Sequence, residues 1–286
     1  GVVPNTVHSV SVPVGLTPGA LFAYTALVRR TGSAFAKGPF FMPAEACVVA
    51  FRGKVNDVNQ TLSIPIQTVP LNDHKCKGCR VSSGLVDAWT SLGPGVLDAL
   101  DSAGCARSAT GAGAARTDKV FVAGHGLGGS LATVAAYYLH RGGYNVQLSW
   151  SFEGSRVGNS AFMDFLHSEM ADGTRPVTLW QVTHANDAGP RDPEKGAGFG
   201  DYRNQVHFDT FNVSVHQLCI KAGDEDSHCG NAKYSRSDLE YQASDVPSTS
   251  FCFTPYAPEG NMCILGNPDG LFKRPTQCYV GGPMAW

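Results

Sequence analysis

The stretch Lys119-Val120-Phe121-Val122-Ala123-Gly124-His125-Gly126-Leu127-Gly128-Gly129 decides the fold. Its first five residues are a short apolar run, the mark of a buried strand. Four glycines in six residues then make a tight turn. Ser130 to Arg141 follows with Leu131, Val134, Ala135, Tyr138 and Leu139 at helical spacing, and Gly142-Gly143 ends it. Two chemistries use such a strand–turn–helix unit. As Gly124-x-Gly126-x-x-Gly129 it matches the dinucleotide fingerprint, where glycines let a pyrophosphate approach the helix amino end. Glu153, ending the next strand, then stands where a ribose-binding carboxylate belongs. As Gly124-His125-Gly126-Leu127-Gly128 it matches the nucleophile elbow Gly-x-Ser-x-Gly, with Gly126 in the serine position.

Outward from the turn, strands alternate with helices. Residues 47–52 read as a buried strand ended by Gly53, and 82–102 as a helix through Leu85, Val86, Trp89, Leu97 and Leu100. Residues 17–31 also read as a helix, from the stripe Leu21, Phe22, Tyr24, Leu27 and Val28. Pro65 and Pro70 make 53–75 irregular, and Gly104 to Thr117 reads as a surface loop. Further strands are expected at 146–152 and 178–183. The pattern predicts an α/β fold with a mostly parallel central sheet and helices on both faces. It divides into residues 1–243 and an irregular Cys-, Pro- and aromatic-rich extension, 244–286, packed on the same domain.

A chain of 286 residues is long enough for an ordinary core, and 43% hydrophobic residues is the globular norm. The net charge of −2 excludes nucleic-acid binding by bulk charge, and no apolar run is long enough for a transmembrane helix. The absence of Met at Gly1 suggests a mature chain whose leader is gone. Nine cysteines point to structural disulfides in an oxidising, extracellular setting, where nicotinamide cofactors are scarce. That weighs against the dinucleotide reading, and no cofactor is expected. No second close pair accompanies Cys76 and Cys79, so they are not half of a zinc site. Cys219 and Cys229 flank a polar turn suited to a bridged loop. The pairing of Cys105, Cys252, Cys263 and Cys278 stays open. Cys47, inside an apolar strand, is the expected free thiol, and an odd cysteine leaves room for a dimer. Asn59 and Asn212 head glycosylation sequons, in keeping with secretion.

Gly124-His125-Gly126-Leu127-Gly128-Gly129 and its small-residue helix resemble the fungal class-three lipases and feruloyl esterases of the α/β-hydrolase fold. Four other segments resemble the same family in the same order. They are Val48-Val49-Ala50-Phe51-Arg52-Gly53, Cys76-Lys77-Gly78-Cys79-Arg80-Val81 through Trp89, Ser155-Arg156-Val157-Gly158-Asn159, and Thr183-His184-Ala185-Asn186-Asp187 through Arg191. The resemblance covers about residues 20–241. It implies a bridge between Cys76 and Cys79, a triad carboxylate at Asp187, an oxyanion hole formed by residue 54 and the N–H of Leu127, and a structural His125.

The sequence departs from a working triad at three places. Gly126 has no side chain to attack with. The histidine position aligns with Asp238, which would be mutually unfavourable with an ionised Asp187. Lys54 replaces the hydroxyl of the oxyanion site, and the lid segment 55–61 is polar. His207, His216 and His228 are the remaining candidate bases. The expectation is a secreted, inactive lipase-like binding protein. The polar lid and the aromatic tail (Tyr241, Phe251, Phe253, Tyr256, Phe272, Tyr279, Trp286) favour a glycan or other small polar ligand. The alternative is an ester hydrolase whose nucleophilic serine has been replaced by Gly126.

Overall fold

The computed structural model describes residues 1–14, 17–30, 43–53, 67–105, 107, 117–147, 149–169, 179–184, 187, 189–208, 216–220, 250–253 and 262–265. The chain opens with strands β1 (His8–Val14), β2 (Thr17–Arg29) and β3 (Glu45–Phe51). Short strands β4 (Thr68–Pro70) and β5 (Arg80–Ser82) precede helix α1 (Ser83–Ser102). Then come β6 (Lys119–His125), α2 (Leu127–Arg141), β7 (Asn145–Val146), β8 (Ser149–Phe152), α3 (Ser160–Glu169) and β9 (Leu179–His184). Strands β10 (Asn204–Phe208), β11 (Gln217–Ile220), β12 (Ser250–Phe253) and β13 (Met262–Leu265) complete the order. Of the 244–286 extension, only the antiparallel pair β12–β13 is described, with Cys252 opposite Cys263 in register.

The main sheet runs β1-β2-β3-β6-β8-β9-β10-β11, with β7 beside β6. From β3 to β10 every pairing is parallel, and the edges β1–β2–β3 and β10–β11 are antiparallel. Each parallel step moves one strand further in the same direction. Right-handed crossovers therefore bring α1, α2 and α3 to the same face. There Leu85, Trp89, Leu131, Val134, Phe162 and Leu166 join Cys47, Val49, Val120 and Val122 in the main core. The opposite face carries a second apolar set, Trp150, Phe152, Val182 and Phe208, because strand side chains alternate. The mostly parallel sheet is the α/β-hydrolase architecture expected from the sequence, but the described helices α1, α2 and α3 lie on one face rather than on both, because no step between parallel strands reverses direction.

Two further expectations need correction. Residues 17–29 are strand, not helix. Leu21, Ala23, Thr25 and Leu27 are buried while Tyr24 is exposed, a period of two that the sequence's i, i+3 stripe concealed. Pairing to β1 on one side and β3 on the other decides it, since each strand completes the backbone hydrogen bonds of the next.

Cys47 is not free. It is bonded to Cys105, just beyond α1, across 58 positions of sequence. Its apolar strand setting suggested a buried thiol; the fold brings a second buried cysteine to the same place. Loop-closure entropy for such a span gives about 4 kcal/mol, against about 2 kcal/mol for the short Cys76–Cys79 bridge. Replacing Cys47 and Cys105 together by serine is expected to lower the urea midpoint markedly. The same change at Cys76 and Cys79 should have about half the effect, and equal shifts would contradict this ordering.

Candidate functional site

Every residue of the candidate site sits at the carboxyl end of a parallel strand, where open α/β sheets place their clefts. Gly126 follows β6, Arg52 and Gly53 follow β3, Glu153 follows β8 and Asp187 follows β9. Gly126 has φ 54° and ψ −122°, a sharp reversal between strand and helix. Its N–H donates to Phe152 O at 2.8 Å, and its carbonyl accepts the first helical hydrogen bond from Ser130 N–H at 3.1 Å. The first-turn N–H of Leu127 thus belongs to the helix end that faces outward.

The flanking glycines are there for lack of room. A Cβ on Gly128 would lie 2.4 Å from Phe51 O, and one on Gly53 would lie 2.6 Å from His125 O. The loop after β3 is therefore pressed against the turn, bringing residue 54's neighbour into the elbow. A Cβ on Gly126 would meet nothing within 4 Å among the described residues. The turn thus has the shape of a nucleophile elbow, with free space where the nucleophile's side chain would stand. The dinucleotide reading has no support in the topology. Strand order advances past β6 without reversing, so no topological switch point lies beside it. Glu153 is itself buried rather than open to a ribose.

Asp187 retains its place. Its Oδ1 accepts the Gly189 N–H at 2.8 Å, and Arg191 donates to its backbone carbonyl. Burial raises its carboxyl despite these contacts. Glu153 is 6% exposed, adopts φ 51°, and its carboxyl lies against that of Asp187. Burial first, and then the Asp187 charge, push Glu153 well above the usual carboxylate range. The sequence showed Glu153 only as an acid at a strand end, and the structure sets Asp187 against it.

Burial lowers the His125 imidazole to about 4, so it is neutral near pH 7. His207 is fully buried and shares a 2.9 Å hydrogen bond with Thr183 Oγ1. It stands on β10, three strands from β6, or about 14 Å at ordinary strand spacing. That distance removes it as a base for residue 126. His216 is exposed beside Phe208, beyond β10. Lys54, Asn59, Asn212, His228, Cys229 and Asp238 lie outside the described residues. Cys219 is disulfide-bonded. No group of three metal-ligating side chains occurs among the described residues.

The segment behind Asp187 is held by a buried guanidinium that the sequence did not single out. Arg156 Nε donates to Asp201 Oδ1 at 2.5 Å, and Nη1 donates to Pro193 O at 3.0 Å and to Arg191 O. Its setting in Arg156-Val157-Gly158-Asn159 was the available signal. Asn159 also ties this segment to the bridged loop, donating to Gly78 O at 2.8 Å and accepting from Arg80 N–H at 3.0 Å.

The family model for lipase (class 3) matches residues 48–196, just over half of the chain. The secreted mono- and diacylglycerol lipase 1 of Fusarium solani is 32% identical over 149 residues, which are 51% of this chain and 39% of that protein. Lipase A of Sodiomyces alcalophilus is 26% identical over 220 residues, covering 65% of this chain and 49% of that one. The chain thus spans less than half the length of these curated relatives. Among solved structures, the mono- and diacylglycerol lipase of Aspergillus oryzae superposes with a TM-score of 0.57 at 18% identity, over 81% of this chain and 74% of that one. The triacylglyceride lipase of Rhizomucor miehei gives 0.54 at 18%, over 79% and 75%. Such identities speak for the fold alone. The elbow, the strand order and the family match agree: the chain belongs to the class 3 lipase family.

Proposed function

We propose that the chain is a secreted member of the lipase family that binds a ligand in the former catalytic cleft without hydrolysing it. The observation that carries this reading is Gly126: the elbow keeps its backbone turn and its open space, but holds no nucleophile. An acyl-enzyme requires an oxygen or sulfur at that point and a base to accept its proton. Apart from its chain neighbours, no described residue comes within 4 Å of a Cβ at 126, and His207 stands about 14 Å away. The relatives named as secreted lipases support an extracellular setting. The glycan preference rests on the polar segment 55–61, outside the described residues, and on the aromatic tail, of which only Phe251 and Phe253 on β12 are described, so it is carried into the test as one arm.

The test is hydrolysis of a short-chain chromogenic ester by the native chain and by Gly126→Ser, followed by binding of a non-hydrolysable glycerol ether and of a glycan panel. Both proteins are expected to stay at the uncatalysed rate while folded, and one ligand class should bind. The variant should fold, because a Cβ at 126 is unobstructed. Turnover by Gly126→Ser far above the native chain would instead mean that a base is in place. The chain would then be an ester hydrolase lacking only its serine.

A further inference from the structure

We infer that the buried Glu153 carboxyl at the end of β8 pairs with that of Asp187, and that the two keep one proton between them at neutral pH. The inference rests on the reading above, since it concerns the same disabled site, but it makes a separate physical claim.

Three observations carry it. First, Glu153 leaves β8 with φ 51°, a left-handed conformation that is unusual for a non-glycine residue and strained. The fold holds this residue in a costly place, and its carboxyl meets Asp187 there. Second, Glu153 Oε2 is buried with no donor directed at it. An ionised oxygen in that position would be desolvated without compensation. A proton between Glu153 and Asp187 removes the difficulty, because one carboxyl becomes the donor and the other the acceptor. Third, the charges around the pair do not cancel two anions. Arg191 is the cation facing it and spends a donor on the Asp187 carbonyl, while Asp192 adds negative charge. From β9, the backbone N–H of His184 faces Glu153, and on neighbouring β6 burial keeps His125 neutral. Two carboxylates in contact with one nearby guanidinium favour a shared proton over two charges.

The consequence is functional. The role of a triad carboxylate is to orient an imidazole and stabilise its cation. With a proton shared between it and Glu153, Asp187 has less charge to offer such an imidazole. The site is then weakened at its carboxylate as well as lacking a nucleophile.

The test uses the whole chain and needs no turnover. Near neutral pH, infrared spectra of the native protein should contain a protonated carboxylic C=O stretch that Glu153→Gln lacks. Thermal midpoints supply a second readout. A carboxyl raised in the folded state binds more protons there than when unfolded. Stability should then fall as pH rises from the unfolded carboxyl value, about 4.3, towards the folded one. Glu153→Gln keeps a donor for Asp187 and cannot ionise, so its midpoint should fall less steeply over the same range. If Glu153→Gln does not fold, Glu153→Gly, which suits φ 51°, gives the same two comparisons. Superposable carbonyl spectra and parallel midpoint profiles for native and variant protein would overturn the inference while leaving the binding reading intact. Ester turnover by the native chain would overturn the binding reading without altering the protonation result.

Discussion

Gly124→Ala is expected to destroy the elbow, whereas Gly126→Ala, two residues on, should leave it folded. A Cβ on Gly124 would stand 2.1 Å from Gly128 O and 2.3 Å from Gly128 C. Both are backbone atoms of the first turn of α2, so no side chain can rotate away. Relief requires α2 to move off β6, and α2 is lined there by Leu131, Val134 and Ala135, all buried. Overpacking of this kind costs about 3 kcal/mol or more, a large share of the ordinary 5–15 kcal/mol of a domain. At Gly126, among the described residues, the penalty is the backbone pair φ 54°, ψ −122°, which residues with a Cβ rarely adopt, about 1–3 kcal/mol. Urea midpoints separate the two. A Gly124→Ala protein as stable as Gly126→Ala would mean that the turn is not packed as described. The contrast also explains why four glycines occupy six positions: those beside the apex hold strand and helix together, and the apex provides the turn.

The same stretch shows what could be read in advance. The run 119–129 and the helix after it are local, so apolar periodicity and glycine placement gave β6 and α2 directly, and motif order gave the family. The β2 segment failed because its apolar residues satisfy two periods at once; only its partners β1 and β3 choose between them. Cys47 failed because burial in a strand says nothing about a second cysteine 58 positions away. Glu153 was visible as an acid at the end of an apolar strand, but its partner comes from the neighbouring strand's loop, 34 residues later, and no spacing rule reaches that far. His207 was weighed as a base because sequence does not reveal which strand stands between two residues. It is the strand order, with β8 and β9 between β6 and β10, that keeps it from Gly126.

Arg156→Ala is expected to cost about 3–5 kcal/mol, the range for breaking a buried ion pair by removing one partner. Arg156 is 5% exposed, and its head group meets Asp201, whose side chain is only 13% exposed. Without the guanidinium, Asp201 loses its buried cation, and Lys195, 2.6 Å away, is half exposed and therefore partly screened. The carbonyls of Arg191 and Pro193 lose a donor at the same time. Arg191 is also the residue that donates to the Asp187 carbonyl, so the loss spreads along 189–193 to the edge of the cleft. Lysine should not rescue the position, because an ammonium cannot serve a carboxylate and two carbonyls in the plane that a guanidinium spans. A paired replacement, Arg156→Met with Asp201→Leu, removes both charges and should cost less than Arg156→Ala alone. If instead the paired variant is the less stable, the ion pair is contributing net stability and not merely satisfying its own desolvation. The anchoring of the Asp187 segment would then rest on charge rather than on the carbonyl contacts.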